Sequence, residues 1–219
     1  MVTIPHARRF TEVTLQNWGN VPSYDQIVKS IDVNPSRIAV VVIDVGAPGS
    51  NCAQIENCTL TKIKPVCDAV RTAGGKVFHA PSAAAAHPAL FGEGDFDFGT
   101  TISDVPSHAQ IVLNKLKESF CGWPELIIHM GYAADRCLMT RPAGIHWLAW
   151  YGDRQPAPLT AKFLLPCDCT MAREVYQSVP LYGSRWQTSC ETYALYVEGR
   201  SHTVWNGKSI VDALAGVTG

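Results

Sequence analysis

Cys137 stands six residues past Gly131, where the apolar run Leu126–Met130 gives way to Tyr-Ala-Ala-Asp-Arg and then to a segment that reads as a helix. A thiol at a helix N-terminus is the easiest kind to ionise. Unpaired backbone N–H groups and the positive end of the helix dipole can lower a cysteine pKa from about 8.5 by one to several units. Two further groups stand at the ends of extended-looking segments: Asp44 after Ile38–Ile43, and Lys115 at the end of Gln110–Lys115. Each is commonplace alone. An acid closing a strand often caps a helix, a lysine at a strand end is usually a solvated cation, and a cysteine beside a helix start is more often buried filler. Together they divide one piece of chemistry coherently. Asp44 accepts the thiol proton, Lys115 orients the carboxylate and balances charge, and the thiolate of Cys137 attacks an amide or carbamoyl carbon. Backbone N–H groups around Ala133 and Cys137 then take the oxyanion. No histidine is required, and His129, alternating within a strand, reads as structural.

These groups can meet only if the elements between them bring them to one edge. Ile38–Ile43 is apolar without alternation, which marks a strand buried on both faces of a helix-covered parallel sheet. A helix over about 54–73 ends at Gly74-Gly75, and Lys76–Pro81 reads as a second strand. Gln110–Lys115 reads as a third, Leu126–Met130 as a fourth, Ala161–Asp168 as a fifth and His202–Asn206 as a short sixth. Helices are expected over 136–150, bent near Pro142, over 187–198, and from Ile210. This alternation predicts an α/β fold: a doubly wound, mostly parallel six-stranded sheet in the order 3-2-1-4-5-6, with helices on both faces. Ligands of such sheets bind beyond the carboxyl ends of the strands, where the order reverses. Asp44, Lys115 and Cys137 would share that crevice. Residues 1–36 read as an N-terminal arm packing on the body or on a neighbouring subunit, and 37–219 as one domain. The stretch 82–107 is long and irregular enough to be a lid or interface loop.

Composition narrows the classes. Of 219 residues 47% are hydrophobic, enough for one substantial core. Lys plus Arg total 18 against 19 acidic residues, with no basic stripe, which argues against dedicated nucleic-acid or membrane-surface binding. No apolar run approaches the roughly 18 residues of a bilayer span, nor does the N-terminus resemble a signal peptide, so a cytoplasmic protein is expected. The eight cysteines therefore read as thiols, most of them small buried hydrophobes. Cys167-Asp-Cys169 lacks the spacing of a zinc site, and neither metal nor cofactor is expected.

Ile38–Asp44, Asn114-Lys115 with Ser119-Phe120, and Gly131-Tyr-Ala-Ala-Asp-Arg-Cys137-Leu followed by Arg141-Pro-Ala-Gly-Ile together resemble the isochorismatase-like cysteine hydrolases. That superfamily includes nicotinamidases, N-carbamoylsarcosine amidohydrolases, biuret hydrolases and isochorismatases. The resemblance covers about residues 36–170. It implies Asp44, Lys115 and Cys137 as a triad, a cis peptide bond between Tyr132 and Ala133, and a homodimer or homotetramer. It also implies a thioester intermediate in hydrolysis of a small amide, with release of ammonia. The chain departs from the pattern in three ways. Lys115 precedes Phe120 by five residues rather than the usual six. Gly46 stands where many relatives have glutamine. Only Cys121–Pro124 separate Phe120 from the fourth strand, where relatives carry a helix. A crossover between parallel strands needs ten or more residues. Either the fourth strand starts from an unusual path, or the preceding strand is placed differently.

Candidate substrate-binding residues are Phe120, Trp123, Tyr132, Arg136 and Ser82, with His79 nearby. Nothing in the sequence chooses between a nicotinamide-like ring, a carbamoylated amino acid and a linear amide. Two other functions stay open: a catalytically silent binding or assembly protein of the same fold, and an ether hydrolase of the isochorismate type.

Overall fold

The computed structural model describes residues 1–10, 25–48, 53–81, 85–99, 102, 105–132, 137–171, 201–204 and 207–219. Its strands are β1 (Val2–Phe10), β2 (Asp25–Val33), β3 (Ile38–Ile43), β4 (Lys76–Ala80), β5 (Phe96–Asp97), β6 (Leu126–Tyr132), β7 (Lys162–Pro166), β8 (Thr170–Met171) and β9 (Ser201–Val204). Its helices are α1 (Ala53–Cys58), α2 (Lys64–Thr72), α3 (Ala109–Ser119), α4 (Cys137–Thr140), α5 (Ile145–Gly152) and α6 (Lys208–Leu214). A π-type turn, Thr59–Ile63, joins α1 to α2.

These strands form one sheet in the order β2-β1-β9-β7-β6-β3-β4-β5, with β8 pairing beside β6. From β9 through β5 every pairing is parallel. All six side chains of β3 are buried because helices cover both of its faces. The strand's period of two sorts them. Ala39, Val41 and Ile43 pack with Val112, Leu113 and Leu116 of α3 and Leu148 of α5. Ile38, Val40 and Val42 pack with Val66 and Val70 of α2 and Ile210 of α6. The residues of 1–36 that are described build an antiparallel pair, Val2 opposite Val33 through Phe10 opposite Asp25. Its buried Ile4, Ile31 and Val33 join the second of these cores.

One element differs in kind from its sequence reading. Gln110–Lys115, expected as the third strand, lies within α3. In a six-residue window Ile111-Val112-Leu113 looks like a strand. Over eleven residues the buried positions are Ala109, Val112, Leu113 and Leu116, the i, i+3, i+4, i+7 stripe of an amphipathic helix. This resolves the crossover problem: α3 is itself the connection into β6, and the strand before it lies further upstream. The place beyond β4 is taken by the two-residue β5, inside the stretch expected to be loop. The predicted six-stranded order is corrected accordingly. The helix expected over 136–150 is two helices, α4 and α5, with Pro142 between them. The helix expected over 187–198 lies outside the described residues.

Candidate functional site

The carboxyl ends of β3 and β6 lie side by side, Ile43 in register with Gly131. Gly131 has φ +114, and a Cβ there would stand 2.0 Å from the Ile43 carbonyl oxygen. Only glycine permits this approach. From that contact the two chains diverge, one to Asp44 and the other to Tyr132. Asp44 takes a left-handed conformation, φ +56, with its N–H donating to Ala80 O at 3.1 Å. A non-glycine residue there carries about 1 kcal/mol of strain or more, a feature that clusters at functional sites.

The Asp44 side chain is 12% exposed. Its Oδ2 accepts a hydrogen bond from Arg141 Nε at 3.2 Å, while Oδ1 is buried without a hydrogen-bond partner among the described residues. Arg141 lies one turn beyond Cys137, whose carbonyl accepts the Arg141 N–H at 3.1 Å. Through Arg141, Asp44 is linked to the backbone segment that starts at half-buried Cys137. The helix that begins at Cys137 has only four residues, however. Its dipole is correspondingly small, so the helix itself offers an anion little stabilisation.

Lys115 stands elsewhere. It sits midway along α3, its Nζ 3.3 Å from Glu118 Oε2 and 4.5 Å over the Phe96 ring, rather than at a strand end. The hydrogen bonds of Asp44 do not include it. Phe120 and Trp123 are also displaced. Arg37, which precedes β3, donates to the carbonyls of both, at 2.6 Å for Phe120. Both therefore lie at the amino edge of the sheet, roughly 20 Å of extended chain from Asp44. Phe120 is core, 6.3 Å from Phe78, and Trp123 donates its indole N–H to Ala157 O at 2.8 Å. The expectation that they line the crevice is corrected: α3 runs down the sheet and delivers them to its far end.

Tyr132 is buried and acts as a strut. Its hydroxyl donates to Ile55 O at 2.9 Å, and because that uses its one proton, Thr59 Oγ1 donates to it at 2.8 Å. The strand end is thereby tied to α1 and the π-type turn. His79 is turned into a buried network: its Nε2 is 2.7 Å from Asp95 Oδ2, and Arg71 donates to both Asp95 oxygens at 2.8 Å. Burial alone would raise the Asp95 pKa, but hydrogen bonds from Arg71 and His79 outweigh it and hold the carboxyl below its usual range. His87 Nε2 is 3.0 Å from Glu56 Oε1, and its N–H donates to Val45 O at 3.2 Å. These contacts fasten residues 86–97 against the strand ends beside Asp44. Ser82, Ala133 and Arg136 lie outside the described residues.

Cys58, Cys67 and Cys169 are buried, burial raising Cys58 to about 11 and Cys67 to about 12, while Cys121 is exposed. Among the described residues no group of three or more His, Cys, Asp or Glu side chains could hold a metal ion, and no helix is long and apolar enough to cross a membrane. Sequence reasoning missed Arg141 as a site residue, although its spacing of four from Cys137 was the available signal.

No protein-family model matches the chain, and no curated protein matches it in sequence. Solved structures do match in shape. A cysteine hydrolase from Pseudomonas syringae pv. phaseolicola 1448A is 15% identical with a TM-score of 0.54, over 83% of this chain and 94% of that one. A putative MAR1 ribonuclease from Leishmania major is 12% identical with a TM-score of 0.50, over 81% of this chain and 82% of that one. The chain shares the α/β fold of that cysteine hydrolase.

Proposed function

We propose that the protein is a cysteine-dependent hydrolase that cleaves a C–N bond of a small amide or carbamoyl compound, with Cys137 as nucleophile and Asp44 as the acid–base group. The observation that carries this reading is the Asp44–Arg141 pair at 3.2 Å, one helical turn from the thiol, at the carboxyl edge of a parallel sheet. That edge is where such sheets place their chemistry.

In this mechanism Asp44 takes the Cys137 proton and the thiolate adds to the carbonyl carbon. The oxyanion collapses, the C–N bond breaks, and protonated Asp44 returns its proton to the departing amine as ammonia. Water then gives a proton to Asp44 and its oxygen to the thioester, releasing a carboxylic acid and the thiol. The near-neutral charge balance supports a small organic substrate over a polynucleotide. The oxyanion role of the Ala133 and Cys137 N–H groups, substrate contacts from Ser82 and Arg136, and a homodimeric or homotetrameric assembly belong to the same proposal.

Ammonia release over a panel of amides, with mass spectrometry of quenched reactions, tests it. An acyl adduct on the Cys137 peptide is expected, as is loss of turnover in Cys137→Ala. Undiminished turnover in that variant refutes the reading. The placement of Lys115 on α3, away from Asp44, favours a second reading: a silent binding protein of the same fold. A Cys137 that reacts with iodoacetamide no faster than free cysteine at neutral pH would support it.

A further inference from the structure

We infer that Arg141 is the cation that positions Asp44 for the thiol, in the role expected of Lys115; this rests on the hydrolase reading above. Three observations converge. Arg141 Nε is 3.2 Å from Asp44 Oδ2, with the two side chains 25% and 12% exposed. Lys115 is engaged on α3 with Glu118 and Phe96. Between Lys76 and Lys115 the chain contains no lysine or arginine at all, so the segment that forms β5 and leads into α3 has no cation to offer the crevice.

The geometry gives Arg141 a specific task. One Asp44 oxygen is fixed by the guanidinium, and the other, Oδ1, is left buried and without a hydrogen-bond partner among the described residues. That is the disposition of a base awaiting a proton. A guanidinium stays charged throughout the working pH range, so it neither competes for the thiol proton nor loses its hold on the carboxylate. The Arg141 N–H donates to the Cys137 carbonyl at 3.1 Å, which ties the backbone of the cation to that of the residue carrying the thiol. Arg141 is a positioning residue acting through Asp44. Its charge also opposes the repulsion that Asp44 would exert on a thiolate.

The test is the pH profile of Cys137 alkylation by iodoacetamide, read on the Cys137 peptide of the full chain, with folding checked by circular dichroism. In Arg141→Gln the thiolate faces a carboxylate without its cation. The apparent thiol pKa should rise by about one unit, and the rate at pH 7 should fall about tenfold. Arg141→Lys should stay within about threefold of the parent. Asp44→Asn removes the anion and leaves the cation, so the pKa should move down, opposite to Arg141→Gln. A merely structural role for the pair would not produce opposite shifts. Lys115→Ala should superimpose on the parent, and Arg136→Gln tests the one arginine nearer to Cys137 in sequence. The inference is overturned if Arg141→Gln leaves the profile unchanged, or if Lys115→Ala or Arg136→Gln produces the upward shift instead. If Arg141→Gln does not fold, the direction of the Asp44→Asn shift decides. A parent profile identical to free cysteine would defeat the hydrolase reading itself, a separate outcome from an acylated Cys137 indifferent to Arg141.

Discussion

Gly131→Ala tests the contact on which the site's geometry depends. The added Cβ would stand 2.0 Å from the Ile43 carbonyl oxygen and 3.0 Å from the Ile43 carbonyl carbon. An unstrained approach needs more than 1 Å of movement there. β6 is held between β7 and β3, and β3 between β6 and β4, so neither strand can shift alone. The alanine would also have to adopt φ +114, at about 1–2 kcal/mol. Overpacking in a closely packed region adds about 1–3 kcal/mol. The expected loss is therefore about 2–5 kcal/mol, a large part of the roughly 5–15 kcal/mol that holds a domain of this kind. With a urea slope near 2 kcal/mol per molar, the midpoint should fall by about 1–2.5 M. Because Ile43 leads directly to Asp44, alkylation of Cys137 in the folded variant should change as well. A midpoint within about 0.3 M of the parent, with unaltered thiol reactivity, would refute the close approach of the two strands.

Two further predictions concern buried titratable groups. Burial lowers the pKa of His129 to about 4, against a hydrogen bond that its ring N–H donates to Ala143 O, which favours the charged ring. The unfolded chain, with a histidine pKa near 6.5, binds the proton more readily. The fold therefore keeps its full stability above about pH 6.5 and loses it as pH falls toward 4, by roughly 2 kcal/mol between pH 7 and 5. Urea unfolding at those two pH values should show that loss in the parent and less of it in His129→Gln; equal losses would contradict it. Asp95→Asn removes the charge that pairs Arg71 with His79, from a side chain 1% exposed. It should cost about 2–4 kcal/mol and loosen residues 86–97, seen as faster hydrogen exchange there. A change below about 0.5 kcal/mol would mean the network does not hold that segment.

How far each element could be read in the sequence depended on the length over which its pattern is decided. Ile38–Ile43 and Leu126–Met130 are unbroken apolar runs, which only a strand covered on both faces accommodates, and both lie at the centre of the sheet. Gln110–Lys115 is ambiguous at six residues. Its helical stripe emerges only when Ala109 and Leu116 are counted, and the strand reading puts Lys115 at a strand end when it lies midway along a helix. β5 has two residues and no pattern of its own; its pairing with β4 is a tertiary event. Tyr132 reads in sequence as a candidate substrate-binding residue; in the fold its buried hydroxyl must find partners, and finds Ile55 and Thr59.

By itself the sequence determined the central strands, the helix-covered faces and the adjacency of Asp44 to the Cys137 segment, because hydrophobic periodicity and the parallel crossover leave few alternatives. Only the tertiary structure decided which cation stands beside Asp44. A charge is placed by the element that carries it, and a helix of eleven residues can deliver a lysine anywhere along some 16 Å of its length. Order along the chain names the candidates; distance through space selects Arg141.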